Sequence, residues 1–206
     1  MTVEVTAQMV KQLRDLTGAG FNDCRTALLE NDGDLTKATE ALRKKGIATA
    51  AKKAGRVAND GIVQTYMHHN GRLGVMVEVN SETDFVARSE AFRQFAKELA
   101  LHIANMAPRY VKAEDVPQAE VEHERSIQLA KTINEGKSEA VAGKIVDGRM
   151  AKWYEDIVLM DQPWLHDDKL KVKDVLTQLI AEIKENIVIR RFVRYAIGED
   201  ADGTGE

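Results

Sequence analysis

The sequence predicts an α+β fold: a small three-helix domain, then a core in which helices pack on a three-stranded antiparallel sheet. Three observations carry this. Apolar residues recur at helical spacing through most of the chain. Two runs of alternating apolar residues in GIVQTYMHHNGRLGVMVEVNS (61–81) flank Asn70-Gly71, the dipeptide that most favours a tight hairpin. A third run, NIVIRRFVRYAIG (186–198), comes only after a long helical stretch and reads as a strand returning to the sheet.

The elements follow in order. Thr6 is placed to cap a first helix, with Val5 and Val10 around it as a hydrophobic staple. Met9, Val10, Leu13 and Leu16 form its apolar stripe. Thr17-Gly18-Ala19-Gly20 breaks it, because glycine tolerates the φ angles of a sharp turn. A second helix spans about Asn22 to Glu30 and turns Cys24, Ala27 and Leu28 inward. Asn31-Asp32-Gly33 is a turn, Asp34 caps a third helix carrying Leu35, Ala38, Ala41 and Leu42, and Gly46 stops it. This gives a domain over 1–46. IATAAKKAGRVAND (47–60) reads as a linker, partly helical, and the core runs over 61–198.

In the second strand Leu73, Val75, Val77 and Val79 share one face, and Met76, Glu78 and Asn80 the other. Phe92, Phe95, Ala96, Leu99, Ile103 and Met106 predict a helix over 89–105, ahead of Pro108. Residues 118–158 read as helical with breaks near Gly136, Gly143 and Gly148. DQPWLHDDK (161–169) reads as a loop, and Asp174 as the cap of a last amphipathic helix. The acidic, glycine-rich stretch 199–206 is expected to be a mobile tail.

Composition narrows the function. With 206 residues, 44% hydrophobic, the chain can bury a real core. A net charge of −4 with both signs interspersed, and no long basic run, argues against nucleic acid as a partner. The only tilt is a net +3 over residues 1–56, which fits either a solvated face or an acidic partner surface. One cysteine excludes an intrachain disulfide and fits a reducing, cytoplasmic setting. No secretory signal and no long apolar run is visible, so no membrane association is expected.

No catalytic or metal signature emerges. His68 and His69, adjacent in a strand, should point to opposite faces, and the other histidines are isolated, so no metal is expected. Cys24 has no base nearby and reads as a small buried thiol. No phosphate-loop, dinucleotide or zinc-protease motif is present. Glu82 and Asp84 lie close together, but nothing marks a pocket for them.

Asp84-Phe85, between a strand and a helix, admits two readings. Phe85 packs under the hairpin while Asp84 caps a turn, or the ring projects as a wedge for a partner's pocket with the carboxylate beside it. Burying a Phe is worth roughly 1.5–3 kcal/mol, enough for one exposed ring to anchor an interface.

Four segments carry a resemblance to a known family. NSETDFVAR (80–88), directly after GVMVEV, and LRDLTGAGFNDCRTAL (13–28) resemble the two signatures of the bacterial elongation factor Ts family. KIVDGRMAKWYEDIVLMDQPW (144–164) and ENIVIRRFVRY (185–195) extend the likeness over nearly the whole chain, which is similar to the family's short members with one core unit. Arg25 stands where the family usually has Lys, which keeps the charge.

The resemblance implies a guanine-nucleotide exchange factor for elongation factor Tu, with no cofactor and no covalent chemistry of its own. It implies an N-terminal domain like ubiquitin-associated domains. The Thr83, Asp84, Phe85 and Val86 segment would dock between helices of the GTPase, the ring disturbing the groups that hold Mg²⁺. Arg14, Phe21 and Asn22 would form a second grip, although Phe21 can equally pack on its own three-helix core. Short members tend to be homodimers through their core sheets, so a dimer binding two Tu molecules is expected. Two rival readings stand beside this. Residues 13–42 resemble ubiquitin-associated domains generally, which would make the chain an adaptor for a ubiquitin-like protein and leave NSETDFVAR without a role. A small hydrolase using Glu82 or Asp84 lacks a nucleophile and base.

Overall fold

The computed structural model describes residues 5–199. The expected tail therefore lies, beyond Glu199, outside the described residues. The elements are α1 (Ala7–Thr17), α2 (Phe21–Glu30), α3 (Leu35–Lys53), β1 (Asp60–Met67), β2 (Leu73–Ser81), α4 (Asp84–Ala87), α5 (Glu90–Met106), α6 (Gln118–Asn134), α7 (Glu139–Ile157), β3 (Pro163–Trp164), β4 (Asp167–Lys171), α8 (Val172–Ile183) and β5 (Val188–Ala196). The antiparallel sheet has the order β1-β2-β5, and β3-β4 form a separate two-stranded pair. The fold class is the predicted one.

The chain clusters into two compact units. The first comprises the residues up to Val63, Glu78–Ala96 and Asp174–Ile189. The second comprises Gln64–Val77, Lys97–Lys173 and the residues from Arg190 on.

In the first unit, local chemistry sets the helix ends. The Thr6 hydroxyl accepts from the Met9 amide at 3.3 Å and the Asp34 carboxylate from the Lys37 amide at 3.0 Å. Gly18, at φ 65°, closes α1. Val10, Leu13, Cys24, Ala27, Leu28, Ala38 and Leu42 make the core of the three helices. Two expectations fail here. Leu16 is exposed, because at 100° per residue it sits about a quarter turn from the midline of Val10 and Leu13. Gly46 does not end α3, which runs on to Lys53 through the first half of the expected linker. Gly46 is buried instead, and a Cβ there would meet the Ala181 Cβ of α8 at 3.4 Å. The glycine marks a close helix approach, not a stop. Ion pairs Arg43–Asp174 (3.4 Å), Lys45–Asp23 (2.8 Å) and Lys184–Asp23 (3.6 Å) surround that approach.

Asp174 is thus the third residue of α8 rather than its cap. The start of β1 lies so close to β2 that a Cβ on Gly61 would fall 2.2 Å from the Val79 carbonyl oxygen.

In the second unit, α7 runs through Gly143 and Gly148, and only Gly136, at φ 78°, falls in a break. DQPWLHDDK is a hairpin, not a loop: Pro163 pairs with Lys171 and Trp164 with Asp167 across an irregularity in register. Trp164 is 5% exposed and stacks on buried His102 with ring centroids 5.2 Å apart. The Leu165 amide donates to His102 Nδ1 at 3.3 Å, so the neutral ring carries its proton on Nε2, 3.0 Å from Gln162 Oε1. The Gln162 amide group in turn donates to the Met106 and Asp156 carbonyls at 3.2 and 3.0 Å. Burial holds the His102 pKa below the usual imidazole value. His68 and His69 do not point apart, since β1 ends at Met67 and leaves them in the turn, with ring centroids 4.2 Å apart. The Tyr66 hydroxyl lies 2.9 Å from His68 Nδ1.

Candidate partner-binding site

The alternating valines of β2 end at Ser81, whose hydroxyl donates to the Thr83 carbonyl at 2.9 Å. Thr83 is extended, at φ −130° and ψ 154°, and its hydroxyl accepts from the Val86 amide at 3.4 Å. Thr83, not Asp84, is therefore the cap of the single turn α4. The Arg88 amide returns to the Asp84 and Phe85 carbonyls at 3.2 Å each, and the Ser89 hydroxyl donates to the Val86 carbonyl at 2.8 Å.

An isolated helical turn is unstable, because it fixes several residues for one hydrogen bond. Two things hold this one. Val86, 6% exposed, and Ala87 are buried and root the turn. Glu185, in the segment before β5, grips its first residue: the Thr83 amide donates to one carboxylate oxygen at 3.1 Å and the Thr83 hydroxyl to the other at 2.8 Å. The residues beside Glu185 hold the flanks. The Asn186 amide donates to Glu82 at 2.6 Å, its side chain donates to the Arg56 carbonyl at 2.7 Å, and Lys184 pairs with Asp23. The Asn186 amide, together with the Arg56 guanidinium 3.4 Å away, keeps the Glu82 carboxyl below its ordinary pKa.

With the backbone held, Phe85 faces solvent, 80% exposed. It does not pack under the hairpin. Asp84 beside it is also exposed and pairs with Arg88 at 2.5 Å. Glu82 and Asp84 are thus engaged with different groups and do not share a pocket. Of the four residues singled out in sequence, Thr83, Asp84 and Phe85 lie on the surface, whereas Val86 points inward.

At the glycine turn, Arg14 and Asn22 are exposed and Phe21, the first residue of α2, is 52% exposed. Leu16, placed in sequence on the apolar stripe of α1, joins them as exposed apolar surface. Cys24 is buried, its thiol donating to the Ala19 carbonyl at 3.5 Å, and burial pushes its pKa up. That is the position of a packing residue rather than a nucleophile.

In the second unit, Met67, Met76, Val193, Tyr195 and Ile197 are exposed and line one apolar groove on β1, β2 and β5. Sequence reasoning missed Glu185 and Asn186 as members of the site. They are about a hundred residues from Thr83, and no local pattern marks an acid that bonds to a distant cap.

The fold and the site together define an α+β protein that holds an aromatic tip out into solvent on a fastened turn. The profile of the family described as Elongation factor TS matches residues 32–199. Curated proteins named Elongation factor Ts are similar along almost the whole chain. That of Carboxydothermus hydrogenoformans is 52% identical over 195 residues, 95% of this chain and 90% of its own. Those of Thermoanaerobacter sp. and Alkaliphilus oremlandii are 53% and 51% identical, over 95% and 96% of this chain and 96% and 91% of theirs. The chain belongs to the elongation factor Ts family. Membership places it among the factors of translation elongation.

Proposed function

We propose that the protein is a guanine-nucleotide exchange factor that releases GDP from elongation factor Tu. The Thr83-Asp84-Phe85-Val86 turn acts as a wedge. Phe85 enters an apolar pocket of the GTPase domain with Asp84 beside it, Thr83 fixes the turn, and Val86 is its root. The single observation that supports this is the outward-facing Phe85 ring on a turn fastened at both ends. Leaving such a ring in water forgoes roughly 1.5–3 kcal/mol, which a partner can recover.

Bound GDP is held by backbone amides of the phosphate loop and by Mg²⁺ on the phosphates. A wedge that shifts those groups removes charge compensation, and the nucleotide leaves faster. Linkage makes the effect mutual, so that nucleotide rebinding weakens the hold of the factor by the same ratio. One ring cannot supply nanomolar affinity, about −12 kcal/mol. Arg14, Phe21 and Asn22 serve as the second grip, in the helical domain that begins the chain. The factor works in the cytoplasm. Among the described residues no helix is long and apolar enough to cross a membrane.

The protein forms a homodimer through the exposed apolar face around Met76 and Tyr195, which a second copy would cover. Light scattering at micromolar concentration is expected to give the mass of two chains, and Tyr195→Lys the mass of one.

The decisive assay follows fluorescent GDP leaving purified elongation factor Tu. The protein is expected to accelerate release and Phe85→Ala to remove most of that acceleration. Identical release with and without the protein would end the reading.

A further inference from the structure

The geometry points to Glu185 as the positioning residue of the wedge: its carboxylate fixes the conformation from which Phe85 acts, without touching the partner itself. This rests on the exchange reading above and adds to it a residue outside the TDFV segment.

Three observations converge. First, Glu185 spends both carboxylate oxygens on one residue, the Thr83 amide at 3.1 Å and the Thr83 hydroxyl at 2.8 Å. Charge-assisted bonds of this kind are about twice as strong as neutral ones. Second, Thr83 is the cap, and its hydroxyl at the same time accepts from the Val86 amide. Donating to Glu185 orients that hydroxyl, so its lone pairs face the turn. The chain of bonds thus runs from Glu185 through Thr83 to the backbone of the one turn that carries Phe85. Third, the chain at Glu185 is held by its neighbour Asn186, whose amide donates to Glu82 and whose side chain donates to the Arg56 carbonyl, while Lys184 on the other side reaches Asp23 in an exposed pair. Lys184 has φ 66°, and the bend there directs three consecutive side chains to three different segments.

A four-residue helix has little stability of its own. Without the clamp, Thr83 is free to rotate out of its extended conformation and the turn frays from its first residue. Phe85 would still be exposed, but it would sample several orientations, and the productive one would have to be selected on docking at a cost in apparent rate.

The test measures GDP release from elongation factor Tu with full-length protein carrying Glu185→Ala, Glu185→Gln, Thr83→Val or Phe85→Ala. Amide hydrogen exchange of the same proteins, free in solution, is read in parallel. Glu185→Ala is expected to slow stimulated release about tenfold, the scale of one lost charge-assisted contact. Glu185→Gln should fall between, since the amide oxygen keeps one acceptor. In the double variant Glu185→Ala/Thr83→Val the loss from Glu185→Ala should shrink, because one of the two bonds Glu185 makes, that to the Thr83 hydroxyl, is then already gone. Thr83 and Val86 amides should exchange faster in Glu185→Ala while those of Val77 and Ile180 do not. A residue that merely supported the fold would raise exchange at all four and give a loss independent of Thr83.

Wild-type release by Glu185→Ala, with Phe85→Ala impaired, would overturn the positioning role and leave the exchange reading standing. Wild-type release by Phe85→Ala would overturn both. Should Glu185→Ala fold poorly, Glu185→Gln and the local amide exchange decide the matter alone.

Discussion

Two turns of this molecule each carry a large aromatic ring, and they treat it in opposite ways. At β3-β4, Trp164 is 5% exposed, stacked on His102. At α4, Phe85 is 80% exposed. Local hydrogen bonding is well satisfied in both places, through Gln162 and His102 in one and Thr83 and Glu185 in the other. The difference lies in where the apolar surface goes. Trp164 spends it on the fold, whereas Phe85 keeps it unspent on a backbone that is nevertheless fixed. A ring left in water on a loose loop needs no explanation. One held out on a capped, clamped turn is the feature on which the proposed wedge rests.

The largest expected effect breaks the comparison at both ends. Trp164→Ala should cost about 3–5 kcal/mol of stability, as deletion of a buried aromatic does. The fraction that folds should still stimulate GDP release normally. Phe85→Ala should do the reverse, with unfolding within about 0.5 kcal/mol of wild type and stimulated release nearly lost. Urea unfolding and the release assay on one set of proteins read both. Trp164→Ala with normal stability, or Phe85→Ala with a large loss of it, would show that burial misreports the division.

The next effect sharpens the buried side. His102 is neutral in the fold, with its pKa lowered by burial. The unfolded chain takes up a proton near the ordinary value of about 6.5, where the folded chain does not. Stability from this group is therefore complete above that pH. It falls as pH drops below it, and stops falling once the lower folded pKa is passed. Urea midpoints at pH 7.5 and 5.5 should differ, and His102→Gln should reduce that difference. An unchanged difference in His102→Gln would mean that other groups produce it.

How much of this was legible in the sequence follows from what is local. The caps Thr6 and Asp34, the hairpin at Asn70-Gly71 and the apolar face of β2 were readable because each depends on residues a few positions apart. The TDFV segment was conspicuous for the same reason, but whether Phe85 faced in or out was not. That depends on Val86 and Ala87 taking the buried positions, a matter of tertiary packing. The interior role of Gly46 was hidden, because a glycine that admits α8 and a glycine that stops a helix look alike along the chain. Strands as short as Pro163–Trp164 leave no period to detect. Glu185 was invisible because its partner is a hundred residues away.

The smallest effect is that of Lys184→Gly, at the bend that aims Glu185. Lys184 sits at φ 66°, where a side chain is strained by roughly 1 kcal/mol. Lys184→Gly relieves that strain but loosens the unfolded chain and removes an exposed ion pair with Asp23, worth about 0–1 kcal/mol. The contributions nearly cancel, so unfolding should shift by less than about 0.5 kcal/mol. The bond from Glu185 to Thr83 uses neither the Lys184 side chain nor its charge, and stimulated release should stay within about twofold of wild type. Lys184→Pro, which cannot adopt a positive φ, should instead swing Glu185 away from Thr83 and reduce release by more than Glu185→Ala does. Equal behaviour of the glycine and proline variants would mean that the direction of the chain at this residue has no bearing on how the ring is held.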